Sequence, residues 1–74
     1  MAKNQLDGTD YRIIRELANN GMKIPKVAQL VYLERTAIYY RCEKIKRITG
    51  LNPLDFWDLL KLYRKFEGVT NVES

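Results

Sequence analysis

The apolar residues between positions 23 and 50 repeat with a helical period on both sides of a tight turn, and this feature constrains the fold most. Pro25 is tolerated in the first turn of a helix but not in a helix interior, so a helix begins there. Its apolar residues are Val27, Ala28, Leu30 and Val31. After Tyr32 and Leu33 interrupt the pattern, a second set follows at steps of four and three: Ile38, Cys42, Ile45 and Ile48. The segment predicts two helices joined by a turn, with Thr49 and Gly50 ending the second.

A further helix is predicted on the N-terminal side of this pair, over residues 9–20. Thr9 and Asp10 offer an N-cap, and Asn20 with Gly21 offers a left-handed stop. Between them, apolar residues fall at helical spacing: Ile13, Ile14, Leu17 and Ala18.

The last predicted helix follows Gly50, and its start has two possible registers. Asn52 and Pro53 fit a cap and a first helical position, with Asp55 as the partner in a capping box; Asp55 with Asp58 fits equally well. The apolar stripe that follows is wider than one core-facing surface needs, so this helix is expected to bury two sides: Phe56, Trp57, Leu59, Leu60, Leu62, Tyr63 and Phe66.

Together these elements predict an all-α fold of four helices, with a helix-turn-helix in residues 25–48 between an N-terminal and a C-terminal helix. A chain of 74 residues is close to the lower limit for one apolar core, so residues 9–67 are predicted to form a single domain. Residues 1–8 and 68–74 are predicted to be flexible termini.

The turn of the predicted helix-turn-helix has an unusual residue. Two helices that cross closely need small residues at their contact, and Ala28 and Ala37 are the candidates. A wedge beneath them would consist of Val31, Leu33 and Ile38. Tyr32 stands where glycine is frequent, so the turn either avoids a left-handed residue or tolerates one at a cost.

Composition excludes several classes of function. The chain has one cysteine and no histidine, which rules out an internal disulfide, a conventional zinc site and the commonest general base. We therefore expect no enzymatic activity, cofactor or metal. Neither of the longest apolar stretches is long enough to span a bilayer, and the start of the chain has no apolar run after its lysine, so a cytoplasmic location is expected.

Positive charge is concentrated in the helical pair. Residues 23–50 hold seven lysines and arginines against two glutamates, whereas the residues before them are balanced in charge. A surplus confined to one hairpin indicates contact with a polyanion, most simply double-stranded DNA. The alternative is an ordinary solvated basic face, because a net charge of +4 is modest for a DNA-binding protein.

A helical wheel separates the core side of the second helix from a side expected to face the DNA groove: Thr36, Tyr39, Tyr40, Glu43 and Arg47, flanked by Arg35 and Lys46. Arg35 is the first candidate for a bidentate contact to guanine, because its planar fork matches the two acceptors on that base. Thr36 suits a thymine methyl group or a phosphate, and the two tyrosines suit sugars, methyl groups and phosphates. Glu43 is either a specificity element that accepts from cytosine or lies beyond the contact.

The remaining basic residues are expected to position the protein on the phosphates. Lys23 and Lys26 lead into a helix N-terminus whose free amides suit a phosphate, and Lys44, Lys46 and Arg47 would hold the neighbouring strand. Arg41 lies at the edge of the core stripe. We expect it to pair with Asp55 or Asp58, tying the third helix to the fourth; a phosphate contact is the alternative.

Residues 23–62 also contain a set of residues at fixed, gapless spacing: Ile24, Ala28, Arg35, Ile38, Tyr40, Arg41, Ile45, Thr49, Gly50, Leu51, Asp55, Asp58, Leu60 and Leu62. Through this set the segment resembles the C-terminal helix-turn-helix of bacterial purine-catabolism and sugar-diacid regulators. The resemblance implies DNA binding. Where the family has a histidine and an asparagine-threonine pair, this chain has Glu34, Thr36 and Ala37, so the base preference of the family does not carry over.

The sequence thus predicts a small sequence-specific DNA-binding protein that regulates transcription, inserts its third helix into the major groove and binds as a homodimer. Its size suggests a phage or another mobile element as the source. Trp57 and the surplus aromatic residues near it suggest the dimer surface. The alternatives are an adaptor that binds another protein through the aromatic face of the last helix, and an accessory factor for DNA packaging or recombination. No small-molecule ligand is inferred.

Overall fold

The computed structural model describes residues 6–72, with the side chains of residues 6–66. This part of the chain forms four helices and no strand: α1 (Gly8–Asn19), α2 (Ile24–Val31), α3 (Arg35–Thr49) and α4 (Phe56–Val72). The predicted all-α helix-turn-helix fold is confirmed. Helix α4 continues past the predicted domain end at residue 67, and residues 1–5 and 73–74 of the predicted flexible termini lie outside the described residues.

Helix α1 begins earlier than the sequence predicted, because Asp7 rather than Thr9 or Asp10 is its N-cap. The Asp10 amide donates to Oδ1 of Asp7 at 2.9 Å, and the Asp7 amide donates to Oδ2 of Asp10 at 3.0 Å. These two bonds form a capping box, which satisfies two amides at the helix start. Leu6 packs against the core. Residues 6–8, which were predicted to be flexible, are therefore part of the fold.

Helix α1 lies at the centre of the molecule and contacts all three other helices, while α2 also packs on α3. The buried apolar side chains come from every helix: Ile13, Ile14, Leu17, Val27, Ala28, Val31, Ile38, Cys42, Ile45, Leu59 and Leu62. Arg12 links α1 to the end of α2, because its Nη2 donates to the Leu30 carbonyl at 2.9 Å. That carbonyl lies in the last turn of α2, where no amide further along the helix can reach it.

The turn between α2 and α3 contains a left-handed tyrosine. Tyr32 caps α2 with φ 57° and ψ 44°, so this turn tolerates a left-handed residue rather than avoiding one. For an L-residue with a bulky side chain this conformation costs about 1–2 kcal/mol. The Leu33 amide then donates to the Ala28 carbonyl, which closes the turn and leads directly into α3.

The segment between α3 and α4 is fixed by short side chains. Gly50 ends α3 with φ 80°, a conformation that glycine adopts without strain, and the Thr49 hydroxyl donates to the Ile45 carbonyl at 2.7 Å. Of the two registers that the sequence left open for α4, the structure has the second: Oδ2 of Asp55 accepts from the Asp58 amide at 3.1 Å. The Asp58 carboxylate in turn accepts from the Asn52 amide.

Between Phe56 and Phe66, where its side chains are described, helix α4 buries one narrow side rather than the wide stripe that was predicted. Leu59 and Leu62 are buried, and Tyr63 and Phe66 pack partly against the core. In contrast, the exposed apolar residues at the start of α4 are Phe56, Trp57 and Leu60. Phe56 and Leu60 line an apolar groove of about 330 Å³ against the end of α1, with Ala18, Gly21 and Met22 opposite. Across the described residues, no helix is long and apolar enough to cross a membrane.

Candidate nucleic-acid interface

Helix α3 has two opposite faces, as the helical wheel predicted. Ile38, Cys42 and Ile45 are buried against α1 and α2. Every residue predicted to face or flank the groove is exposed to solvent: Arg35, Thr36, Tyr39, Tyr40, Glu43, Lys46 and Arg47. Tyr40 exposes 70% of its surface and Tyr39 exposes 47%, although aromatic side chains of this size are usually well covered. The other helices therefore leave this face open to a partner.

The start of α2 extends the basic surface. Lys23 and Lys26 are exposed and lie at the N-terminus of α2, where Pro25 occupies the first turn. Among the described side chains, none caps this end of the helix. The amides of the first turn are therefore available to an acceptor from outside the chain, and the helix dipole favours an anionic one.

Lys44 does not belong to this surface, contrary to the prediction. Its Nζ lies 2.7 Å from Oδ2 of Asp10 and 3.7 Å from Oδ2 of Asp7, and only 20% of its side chain is exposed. The reason lies in helical geometry: Lys44 is three residues after Arg41, so both side chains project from the same flank of α3 toward α1. Because its charge is already paired with a buried carboxylate, Lys44 would contribute little to binding a phosphate.

Arg41 has the structural role that the sequence favoured, but with other partners. Its Nη1 donates to Oδ1 of Asp7 at 3.0 Å and to Oδ1 of Asp10 at 3.1 Å, so it ties α3 to α1 and not to α4. Asp55 and Asp58 bind backbone amides at the start of α4 instead. Burial opposes the charged form of Arg41, but hydrogen bonds and the charges of its two partners outweigh this effect and raise its pKa above the usual value.

A family model for the PucR C-terminal helix-turn-helix domain matches residues 11–67. The chain belongs to this family. The match is longer than the resemblance noted in the sequence and takes in the central helix-turn-helix, most of α1 and the first part of α4. No curated protein and no solved structure matches the chain.

Membership of the PucR helix-turn-helix family indicates DNA binding, and the geometry shows which basic residues remain for it. Within the described part of the chain, five lysines and arginines of residues 23–50 stay outside ion pairs: Lys23, Lys26, Arg35, Lys46 and Arg47. Arg41 and Lys44 neutralise Asp7 and Asp10, which precede the segment matched by the family. The cationic surface is therefore smaller than the sequence predicted, and its five members lie on α3 and at the start of α2.

Sequence reasoning missed Asp7 as a helix cap, and it missed that Asp7 and Asp10 pair with Arg41 and Lys44. Asp10 is fully buried, with both oxygens engaged by amide and cationic donors. Two aspartates three positions apart, with a helix behind them, are the signal of a capping box, and that signal is present here as Asp7 and Asp10. They place no group in the surface that was predicted to face DNA, but their ion pairs with Arg41 and Lys44 fix the flank of α3 beside it.

Cys42 behaves as a core residue of the PucR-type domain, as predicted. It is 2% exposed, and burial, with smaller contributions from Asp10 and Glu43, raises the pKa of its thiol to about 11. A thiol with such a pKa is protonated at neutral pH and is a poor nucleophile. Among the described residues, no cluster of His, Cys, Asp or Glu could hold a metal ion.

We expect the charge of Asp7 to stabilise the fold at neutral pH and to lose this effect in acid. The Asp10 amide, followed by Arg41 and Lys44, lowers the pKa of Asp7 from 3.8 to about 2, against the opposing effect of burial. Because the folded state has the lower pKa, the stabilisation is complete above about pH 3.8 and disappears as the pH falls toward 2. Asp7→Asn keeps an acceptor for the cap but has no charge.

The melting temperature of Asp7→Asn should therefore lie below that of the wild type at pH 7, and the two values should converge below about pH 2. Thermal unfolding followed by circular dichroism between pH 7 and pH 2 measures this difference. A gap that stays constant over the whole range would show that the charge of Asp7 has no part in stability.

Proposed function

We propose that this protein is a sequence-specific DNA-binding regulator of transcription that inserts α3 into the major groove. The observation that carries the proposal is the open outer face of α3, where basic, hydroxyl and aromatic side chains lie side by side without cover from another helix. A helix of 15 residues is long enough to cross the groove and present several side chains to base edges. Since the proposed partner is DNA, the proposed location is the cytoplasm.

The proposed contacts divide into those that read bases and those that hold phosphates. Arg35 is the first residue of α3 and is exposed, so its guanidinium is assigned to a guanine. Thr36, Tyr39 and Tyr40 pack along the groove wall, where their hydroxyls reach phosphates. Glu43 faces the same side of α3. Two roles remain open for it: it accepts a hydrogen bond from a cytosine, or it lies outside the DNA contact. The phosphates are assigned to Lys23, Lys26, Lys46 and Arg47.

Arg35 and Lys46 provide a matched test, because both are exposed cations on α3 with different proposed roles. The wild type should bind its preferred duplex more tightly than a duplex in which the contacted guanine is replaced by another base. Arg35→Ala should reduce this difference in binding free energy by about 1–3 kcal/mol at that one position. Lys46→Ala should weaken binding to all duplexes by a similar factor. Fluorescence anisotropy with a small panel of duplexes separates the two effects. Equal weakening of every duplex by both changes would contradict direct reading by Arg35.

We further propose that the protein binds DNA as a homodimer through the start of α4. Trp57 exposes 67% of its surface and Phe56 exposes 58%, next to the apolar groove that Leu60 lines. Large apolar groups in one exposed patch are typical of an interaction surface. A two-fold dimer also presents two copies of α3 to the DNA, which a short single domain needs for tight binding.

Trp57→Ser should raise the dimer dissociation constant at least about tenfold, as expected for an aromatic anchor at the centre of an interface. Tyr40→Ser is the control, since Tyr40 exposes 70% of its surface but lies on α3. Sedimentation equilibrium of both variants and the wild type measures the effect. A wild type that remains monomeric at high concentration would exclude this dimer.

The same exposed patch also supports a second function, that of an adaptor that binds another protein through α4. The two functions differ in what Trp57→Ser does. In the DNA-binding account the variant loses dimers and, with them, DNA affinity. In the adaptor account wild-type protein captures a protein from a lysate and retains no duplex, and the variant loses that capture.

A further inference from the structure

Among the described residues, two residues other than glycine have a left-handed backbone. They differ in whether other contacts offset the strain of that backbone. Met22 has φ 63° and Tyr32 has φ 57°, while the remaining left-handed positions are Gly21 and Gly50. The side chain of Met22 is partly buried and packs against the core, so its burial offsets the strain of its backbone.

Within the part of the chain that the structure describes, Tyr32 gains no such compensation. It exposes 86% of its surface, the largest exposed fraction among the exposed large hydrophobic side chains. Its contribution to the end of α2 is made by its backbone amide, which donates to the carbonyls of the last turn. A glycine here would keep the same amide bond without strain. Strained residues of this kind cluster at functional sites, where an outside partner makes use of the side chain.

We propose that Tyr32 is a further DNA contact, with its ring against a sugar and its hydroxyl donating to a phosphate at the edge of the groove. The inference rests on the proposed function. Tyr32 stands three residues before Arg35, so their Cα atoms are at most about 11 Å apart. It therefore lies near the end of α3 that holds Arg35 and Thr36, the end that the proposed function places against the groove wall. A tyrosine combines a flat apolar ring with a donor that a phosphate accepts.

Tyr32→Gly should change stability and DNA affinity in opposite directions. Relief of the backbone strain should exceed the extra chain entropy of glycine and raise the melting temperature by roughly 2–8 °C. Loss of the contact should weaken binding by about three- to tenfold for every duplex, the size of one net hydrogen bond. Tyr32→Asn tests the same point without the extra chain entropy of glycine, because asparagine also tolerates this conformation.

Met22→Gly is the matched control for the backbone. It removes a left-handed side chain of similar strain, but one that packs against the core, so it should lower the melting temperature. Only its melting temperature is compared, because Met22 also lines the groove beside the proposed dimer surface and a change there would alter DNA affinity through the dimer. Tyr32→Phe keeps the ring but removes the hydroxyl, so it should lose only part of the DNA affinity that Tyr32→Gly loses.

The results distinguish this inference from the proposed function. If the wild type binds duplex DNA while Tyr32→Gly and Tyr32→Asn bind equally well, Tyr32 is no contact and the assignment to α3 stands. If both variants melt at a lower temperature than the wild type, the strain argument is wrong and the inference falls with it. If the wild type binds no duplex at all, both the inference and the proposed function are overturned.

Discussion

Asp10→Ala should lower the melting temperature by roughly 10–20 °C, one of the largest effects of any single substitution outside the apolar core. Asp10 is fully buried and accepts from the Asp7 amide, Arg41 and Lys44. Removing one member of a buried ionic cluster costs about 3–5 kcal/mol. We expect a value near the lower end, about 3 kcal/mol, because Arg41 and Lys44 are partly exposed and water can solvate them.

Asp55→Ala is the matched control for this effect. Asp55 also accepts a hydrogen bond from a backbone amide at the start of a helix, but it is exposed and has no cationic partner among the described residues. Loss of such a cap costs about 1 kcal/mol. Thermal and urea unfolding of both variants compares the two sites. Equal destabilisation would mean that the contacts of Asp10 with Arg41 and Lys44 contribute nothing beyond a helix cap.

The affinity for DNA should fall about 100-fold for each bound chain when salt is raised from about 50 to 200 mM. Four cations are assigned to phosphates: Lys23, Lys26, Lys46 and Arg47. Each phosphate contact releases counterions, which gives a slope of log affinity against log salt of about −0.9 per contact. Arg41 and Lys44 are excluded from the count because their charges are neutralised by Asp7 and Asp10.

The control for the salt effect compares a lysine inside the proposed surface with one outside it. Lys46→Ala should reduce the magnitude of the slope by about one per chain. Lys61→Ala, on the exposed side of α4, should leave the slope unchanged. Titrations at four or more salt concentrations give both slopes. A wild-type slope near zero, or one that Lys61→Ala alters as much as Lys46→Ala, would contradict the assigned phosphate contacts.

The division of α3 into a core face and an open face could be predicted from the sequence because it depends on one period. Once Ile38, Cys42 and Ile45 define the buried side, the opposite positions follow from about 100° of rotation per residue. The end of the helix was equally predictable, since Gly50 supplies the conformation that a helix stop requires. Local rules were sufficient for these features.

The partners of Arg41 could not be predicted, because they depend on which helix end lies beside α3. The chain offers two similar pairs of aspartates, three residues apart at a helix start: Asp7 with Asp10 and Asp55 with Asp58. Helical periodicity does not indicate which of the two pairs binds Arg41. Tertiary packing brings α1 against α3 and selects the first pair, and the same packing withdraws Lys44 from the surface that was predicted to bind DNA.

Helix α4 shows the same limit on its apolar side. A stripe that includes Phe56, Leu59, Leu60 and Leu62 is wider than α1 can cover, and the sequence does not show which edge remains outside. The structure leaves Phe56 and Leu60 exposed. Tyr32 was recognised as unusual from the sequence, but only its φ angle and its exposure showed that the turn tolerates strain.

The central claim is that the open face of α3, together with the start of α2, is the DNA-binding surface. Amide chemical shifts of isotope-labelled protein, recorded during titration with a duplex selected from a random pool at near-physiological salt, test it most directly. We expect the largest changes over residues 32–47 and 23–26, with the amides around Trp57 perturbed only as far as dimer formation requires. Changes confined to α4, or the absence of any change with every duplex, would contradict the account.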